Sequence, residues 1–98
     1  MGLYASGVVD RLSGDPASAL RTERQALNAI AGRGADIRRM RVLTEIGLAY
    51  LDLADPAPAR AALEQALHLS ENLQTHAGPD RADILSGLAR TAHRSRVS

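Results

Sequence analysis

The stretch DIRRMRVLTEIGLAYLDLA, residues 36–54, decides the fold. On a wheel of 3.6 residues per turn, Ile37, Met40, Val42, Leu43, Ile46, Leu48, Ala49, Tyr50, Leu51, Leu53 and Ala54 cover well over half the circumference. Arg38, Arg41, Glu45 and Asp52 gather into a narrow polar strip, with Arg39 standing apart. A surface helix of a small domain shows an apolar arc of roughly 100° or a little more. A helix this apolar, yet too charged and interrupted to span a membrane, must be packed by neighbours on both sides. The pattern therefore predicts a central helix whose polar strip alone is left to meet something else.

Composition sets the frame around it. The chain has 98 residues, enough for one domain and a core of moderate stability. Its 45% hydrophobic content is mostly Ala and Leu, with two Tyr and no Phe or Trp. Closely packed helices suit this supply; a β-sandwich, which uses Val, Ile, Thr and aromatics, does not. The fold class expected is all-α. A net charge of +1, with acidic and basic residues interspersed, gives no nucleic-acid or polyanion signal. The absence of cysteine excludes disulfides, thiolate metal sites and a cysteine nucleophile. No basic region followed by an apolar core opens the chain, so no signal peptide is read and a cytoplasmic location is expected. All twelve basic residues are Arg, which with the Ala, Gly and Pro content suggests a GC-rich bacterial genome.

Breaks divide the chain into about five helices. Met1–Ser13 carries a weak helical pattern opposed by Gly2 and Gly7. Ser13-Gly14-Asp15-Pro16 reads as a helix stop, an N-cap and a first-turn proline. A second helix then runs from about Pro16 to Ala31 on Ala19, Leu20, Ala26, Leu27 and Ile30, ending at Gly32-Arg33-Gly34. The central helix is expected to be capped by Asp36 and to end at Asp55-Pro56, another cap and restart. The fourth helix uses Ala59, Ala62, Leu63, Ala66, Leu67, Ser70 and Leu73 inward and stops in the mid-70s. Gly78-Pro79-Asp80 breaks the chain again before a fifth helix over about Arg81–Arg94. There Ile84, Leu85, Leu88, Ala89 and Ala92 form the inward arc, and Ser95–Ser98 is expected to fray.

Two of these segments repeat. DPASALRTERQAL at 15–27 overlies DPAPARAALEQAL at 55–67 with seven of thirteen positions identical, at an offset of forty. Gly7 overlies Gly47 and Leu3 overlies Leu43 in the same register. One helical hairpin per fixed period is the mark of a helical solenoid. Leu43, Ile46, Gly47, Tyr50, Ala59, Leu63 and Ala66 have the spacing of the packing residues of the tetratricopeptide repeat (TPR) family, which this chain resembles. Its first hairpin departs from the pattern at Ser6, Asp10 and Glu23, the last replacing a large apolar residue. Leu85, Leu88, Ala89 and Ala92 match a third first helix at an offset of forty-two. That longer period and the wording GPDRADILSGLA look like the kinesin light chain subgroup and the helical-repeat regions of large bacterial regulatory proteins, the latter favoured by composition. The resemblance implies a short α-solenoid of antiparallel hairpins in a single domain. Hairpin 1 spans about 2–31, hairpin 2 about 36–76, and a C-terminal capping helix about 80–94.

No catalytic constellation accompanies this pattern. His68, His76 and His93 have no metal-site spacing, and no nucleophile elbow, zinc-protease motif or P-loop is present. No enzyme, metal or cofactor is expected. The basic runs Arg33, Arg38, Arg39, Arg41 and Arg90, Arg94, Arg96 lack a compact recognition helix, and arginines near a helix C-terminus suit its dipole.

By the family resemblance, first helices line the groove of the stack. The expected peptide-binding residues are therefore Arg41, Thr44, Glu45, Leu48 and Asp52, with Ser86 and Arg90 from the fifth helix, beside Asp83 and His93. Tyr4, Val8 and Arg11 would flank them from the first. Arg41 pairing with Glu45 along a solvated face is the plainer reading. The lysine, asparagine and arginine clamp that some family members use has no counterpart at Tyr4, Val8, Glu45, Asp83 and Gly87. The expectation is a non-catalytic protein- or peptide-binding module, alone or within a larger regulatory protein, without nucleic acid or membrane. The alternative is homodimerisation through its two incomplete ends.

Overall fold

The computed structural model describes the backbone at residues 3–32, 35–73 and 78–97, and side chains at 4–32, 35–71 and 83–93. The described residues are all-α, in five helices: α1 (Leu3–Leu12), α2 (Pro16–Ala29), α3 (Ala35–Asp52), α4 (Pro56–Leu73) and α5 (Gly78–Val97).

The turns follow from local chemistry. Gly14, at φ 90°, closes α1: its N–H reaches the Arg11 carbonyl, and the Asp15 N–H reaches that of Asp10. This paired closure needs one residue in the left-handed region. Asp15 then caps α2, its carboxylate accepting the Ser18 N–H at 3.1 Å, with Pro16 in the first position. Forty residues on, the same closure recurs. The Ala54 N–H bonds to the Leu51 carbonyl and the Asp55 N–H to that of Tyr50, but here Ala54 takes the left-handed position at φ 59°. The repeat thus extends to backbone geometry, with alanine where its counterpart is glycine.

Two boundaries differ from the sequence reading. The central helix begins at Ala35, so Asp36 lies in its first turn, where a negative charge suits the dipole, and does not cap it. The fifth helix begins at Gly78 and runs to Val97, so Gly78-Pro79-Asp80 opens the helix instead of breaking the chain. Pro79 in the first turn forfeits no intrahelical hydrogen bond, which permits this start. The join at 74–77, including His76, and Gly2 and Arg33 lie outside the described residues, as do the side chains of Leu73, Arg94 and Arg96.

The helices pack in chain order, and α3 also touches α1 and α5. The other four helices therefore converge on α3, as the breadth of its apolar surface requires. Six consecutive residues, Val42–Gly47, are buried. Consecutive helices approach closely, as at Gly7 to Glu23 and Gly47 to Leu63. The molecule measures 41 × 28 × 19 Å, its thinnest dimension equal to about two helix diameters. This arrangement is compatible with stacked hairpins.

The core is built from Met40, Val42, Leu43, Ile46, Ala49 and Leu51 of α3 against Leu20, Ala26, Ala59, Ala62, Leu63, Ala66 and Ile84. Small residues set the approach distances. A Cβ at Gly47 would lie 2.5 Å from Leu63 Cγ, and one at Gly87 2.8 Å from Leu63 Cδ1. The α5 contact is therefore centred on Gly87, and its buried line is Ile84, Gly87 and Thr91, with Leu88 half-buried. Leu85, Ala89 and Ala92, expected inward, are exposed. Thr44, Ser70 and Thr91 are buried and turn their hydroxyls onto the carbonyls of Met40, Leu67 and Leu88 at 2.7–2.8 Å, which satisfies them without a partner helix. Among the described residues no helix is long and apolar enough to cross a membrane.

Candidate interaction site on the central helix

Glu45 and Asp52 stand seven residues apart on α3, which places them on one line two turns apart. Arg11, in the last turn of α1, reaches both. Its Nε donates to Glu45 Oε2 at 2.7 Å and its Nη2 to Oε1 at 3.4 Å, a forked geometry. Its Nη1 lies 3.6 Å from Asp52 Oδ2. From the other side, Arg90 Nη2 of α5 lies 3.6 Å from Asp52 Oδ1. Burial works against the Arg11 charge, but the hydrogen bonds and charge of Glu45, joined by Asp52, outweigh it and raise its pKa above the ordinary value. Glu45 is thus paired across helices to Arg11; the arrangement is a charged line that ties α1, α3 and α5 together.

Behind Glu45 lies an unusual group. Glu23 of α2 is fully buried, and neither carboxyl oxygen has a hydrogen-bond partner. Its carboxyl lies where a side chain on Gly7 would begin, with Cδ 2.5 Å from that Cβ position. Burial pushes the Glu23 carboxyl up to about 8, the negative charge of Glu45 adds to the rise, and Arg11 opposes it only in part. Glu23 is therefore chiefly protonated at neutral pH. Sequence reasoning registered it only as a misfit in the first hairpin. Its overlay on Leu63 at the forty-residue offset was the signal that it points inward.

At the other end of the strip a cavity of about 510 Å³ opens between α1, α2 and α3. Tyr4, Ala26, Ile30 and Val42 supply apolar wall, and Arg38 and Arg41 bring cationic groups to it. Arg38 Nη2 also donates to the Ala31 carbonyl at 2.6 Å, at the end of α2. On the far side of α2, Arg24 meets the Tyr50 hydroxyl.

The expected site residues therefore separate into groups. Arg41 is exposed and lines the cavity. Glu45 and Asp52 meet Arg11 and Arg90. Thr44 is buried and bonded within its own helix. Leu48 is half-buried and lies against the position of Gly87. Ser86 is exposed on α5, as are Asp83 and His93. Among the described residues, no three His, Cys, Asp or Glu side chains are placed to hold a metal ion. Comparison with protein-family models, with curated proteins and with solved structures yields no significant match.

Proposed function

We propose that the chain is a non-catalytic, TPR-type module that binds a protein or peptide segment, by itself or within a larger regulatory protein, in a cytoplasmic and bacterial setting. The observation that carries this reading is the cavity at the head of α3. It combines apolar wall from three helices with Arg38 and Arg41, the pairing of features by which binding sites fix orientation with a few polar groups. Its chemistry suits a segment with an apolar side chain beside a carboxylate. The residues further along α3 contribute by holding the helices in place.

The test is selection from a displayed library of short random peptides. Enriched sequences should place Asp or Glu beside a large apolar residue, and Arg41→Glu should lose them while keeping wild-type helicity and melting. Peptides that bind Arg41→Glu as tightly as wild type would overturn the reading.

A second reading, self-association, is favoured by the apolar surface at the two ends. Val9 and Leu12 of α1 are 58% and 71% exposed, and Leu85 of α5 is 47% exposed beside exposed Ala89 and Ala92. Light scattering over a concentration series separates the two: a mass that stays monomeric excludes self-association.

A further inference from the structure

Glu23 carries the unmet buried oxygens of the described side chains, and its surroundings restrict what can satisfy them. Along α2 its buried neighbours are Ala19, Leu20 and Ala26, which offer nothing polar from their side chains. From α1 it meets Gly7 and the charge of Arg11; from α3 it meets the charge of Glu45. The one cation of this set is already committed, forked onto Glu45 at 2.7 and 3.4 Å and drawn toward Asp52 at 3.6 Å. Within the closed wedge of three helices, a proton is the compensation left for Glu23.

The element that closes this wedge is also a short one. The α1 helix has ten residues, fewer than an isolated helix needs to persist in water. Gly7 in its interior lowers its helix propensity further, and large parts of Val9 and Leu12 face solvent. It packs only on α2 and α3, so its departure leaves the packing of α4 and α5 on α3 in place. Tyr4 of α1 also forms one wall of the cavity at the head of α3.

We propose that α1 is a releasable helix whose docking against α2 and α3 is governed by the protonation of Glu23, so that loss of that proton favours removal of the α1 wall from the cavity. When α1 leaves, water reaches the Glu23 carboxylate, and Arg11 withdraws from Glu45 and Asp52. The docked state binds the Glu23 proton up to pH about 8, whereas the released state gives it up near the ordinary value of 4.5. Docking is therefore fully favoured below about pH 4.5, and each pH unit between there and 8 shifts the equilibrium about tenfold toward release. Above 8 both states are ionised and the shift levels off. The consequence for ligand entry rests on the binding reading above; the release of α1 does not.

Amide hydrogen exchange between pH 5 and 8, corrected for intrinsic rates and kept where closing outpaces exchange, tests this without any ligand. Wild-type α1 amides should be protected less than those of α4, and their protection should fall close to tenfold per pH unit. Glu23→Gln and Glu23→Leu should each flatten that dependence. Should the amide variant fold poorly, the leucine variant reproduces the Leu63–Gly47 packing already present in the second hairpin. A flat wild-type profile, or a slope that persists in the folded Glu23 variant, would overturn the proposal. So would α1 protection equal to that of α4, because α1 would then open only with the whole chain.

Discussion

Glu23 lies across Gly7 as a large side chain lies across a helix-crossing glycine, its Cδ 2.5 Å from the glycine's Cβ position. Leu63 makes the same crossing over Gly47, Cγ at 2.5 Å. The first hairpin has therefore kept the shape of the second and changed the chemistry at its centre.

Replacing Glu23 with leucine should stabilise the protein. A buried polar group without partners is worse than an apolar one of similar volume. The sign with pH follows from a carboxyl raised to about 8 in the fold from 4.5. Wild-type stability is lost as pH rises through that window, so the gain from Glu23→Leu should be small at pH 4.5 and largest at pH 8 and above. Urea unfolding at pH 5, 6.5 and 8 measures it; a gain that does not grow with pH would contradict the assignment.

Arg11→Met should cost roughly 2–4 kcal/mol. The Arg11 and Glu45 side chains are only 16% and 10% exposed, and removing one member of a buried pair strands the other. Arg90→Met should cost under about 0.5 kcal/mol, because Arg90 is 44% exposed and its approach to Asp52 is 3.6 Å. A double-mutant cycle of Arg11→Met with Glu45→Gln should give a coupling above about 1 kcal/mol.

Ala54→Gly should raise stability by about 0.5–1 kcal/mol. Alanine at φ 59° meets a penalty of ~1–2 kcal/mol that glycine escapes, against a glycine entropy cost of ~0.4–1 kcal/mol. The reciprocal change, Gly14→Ala at φ 90°, should destabilise, although open space surrounds it. Thermal melts of the two variants should therefore move in opposite directions.

Gly47→Ala should be destabilising by about 1–3 kcal/mol, although alanine in a helix is ordinarily favoured over glycine by about 1 kcal/mol. The new Cβ meets Leu63 Cγ at 2.5 Å and the Ala59 backbone oxygen at 3.2 Å, neither free to swing away. At Gly87 the first contact is Leu63 Cδ1 at 2.8 Å, the far end of a flexible side chain. Gly87→Ala should therefore cost less. A reversed order would mean that α4 is held more loosely against α3 than against α5.

Much of the fold was legible in local signals. Gly14, the Asp15 cap and the two Asp-Pro restarts act within a few residues, so the ends of α1, α2 and α3 came close to their true positions. The start of α5 did not, because Gly-Pro reads as a break in isolation and is acceptable in a first turn. Burial on α5 was misread for a different reason. The repeat register matches Leu85, Ala89 and Ala92 to packing positions of a first helix, whereas the close approach at Gly87 turns the neighbouring line inward. The charged line was half legible. Arg11, Asp52 and Arg90 were placed along one groove by resemblance, but the pairing of Glu45 with Arg11, 34 residues away, depends on helix stacking and not on spacing. Glu23 was visible only as a breach of the repeat, since a glutamate within a helix ordinarily reads as surface.

Asp52 receives Arg11 from one side and Arg90 from the other, while among the described residues α1 and α5 do not touch. Two guanidinium groups sharing one carboxylate oppose each other, because each lowers the attraction left for the second. The first and last helices thus meet electrostatically at an acidic group of the central helix that belongs to neither of them.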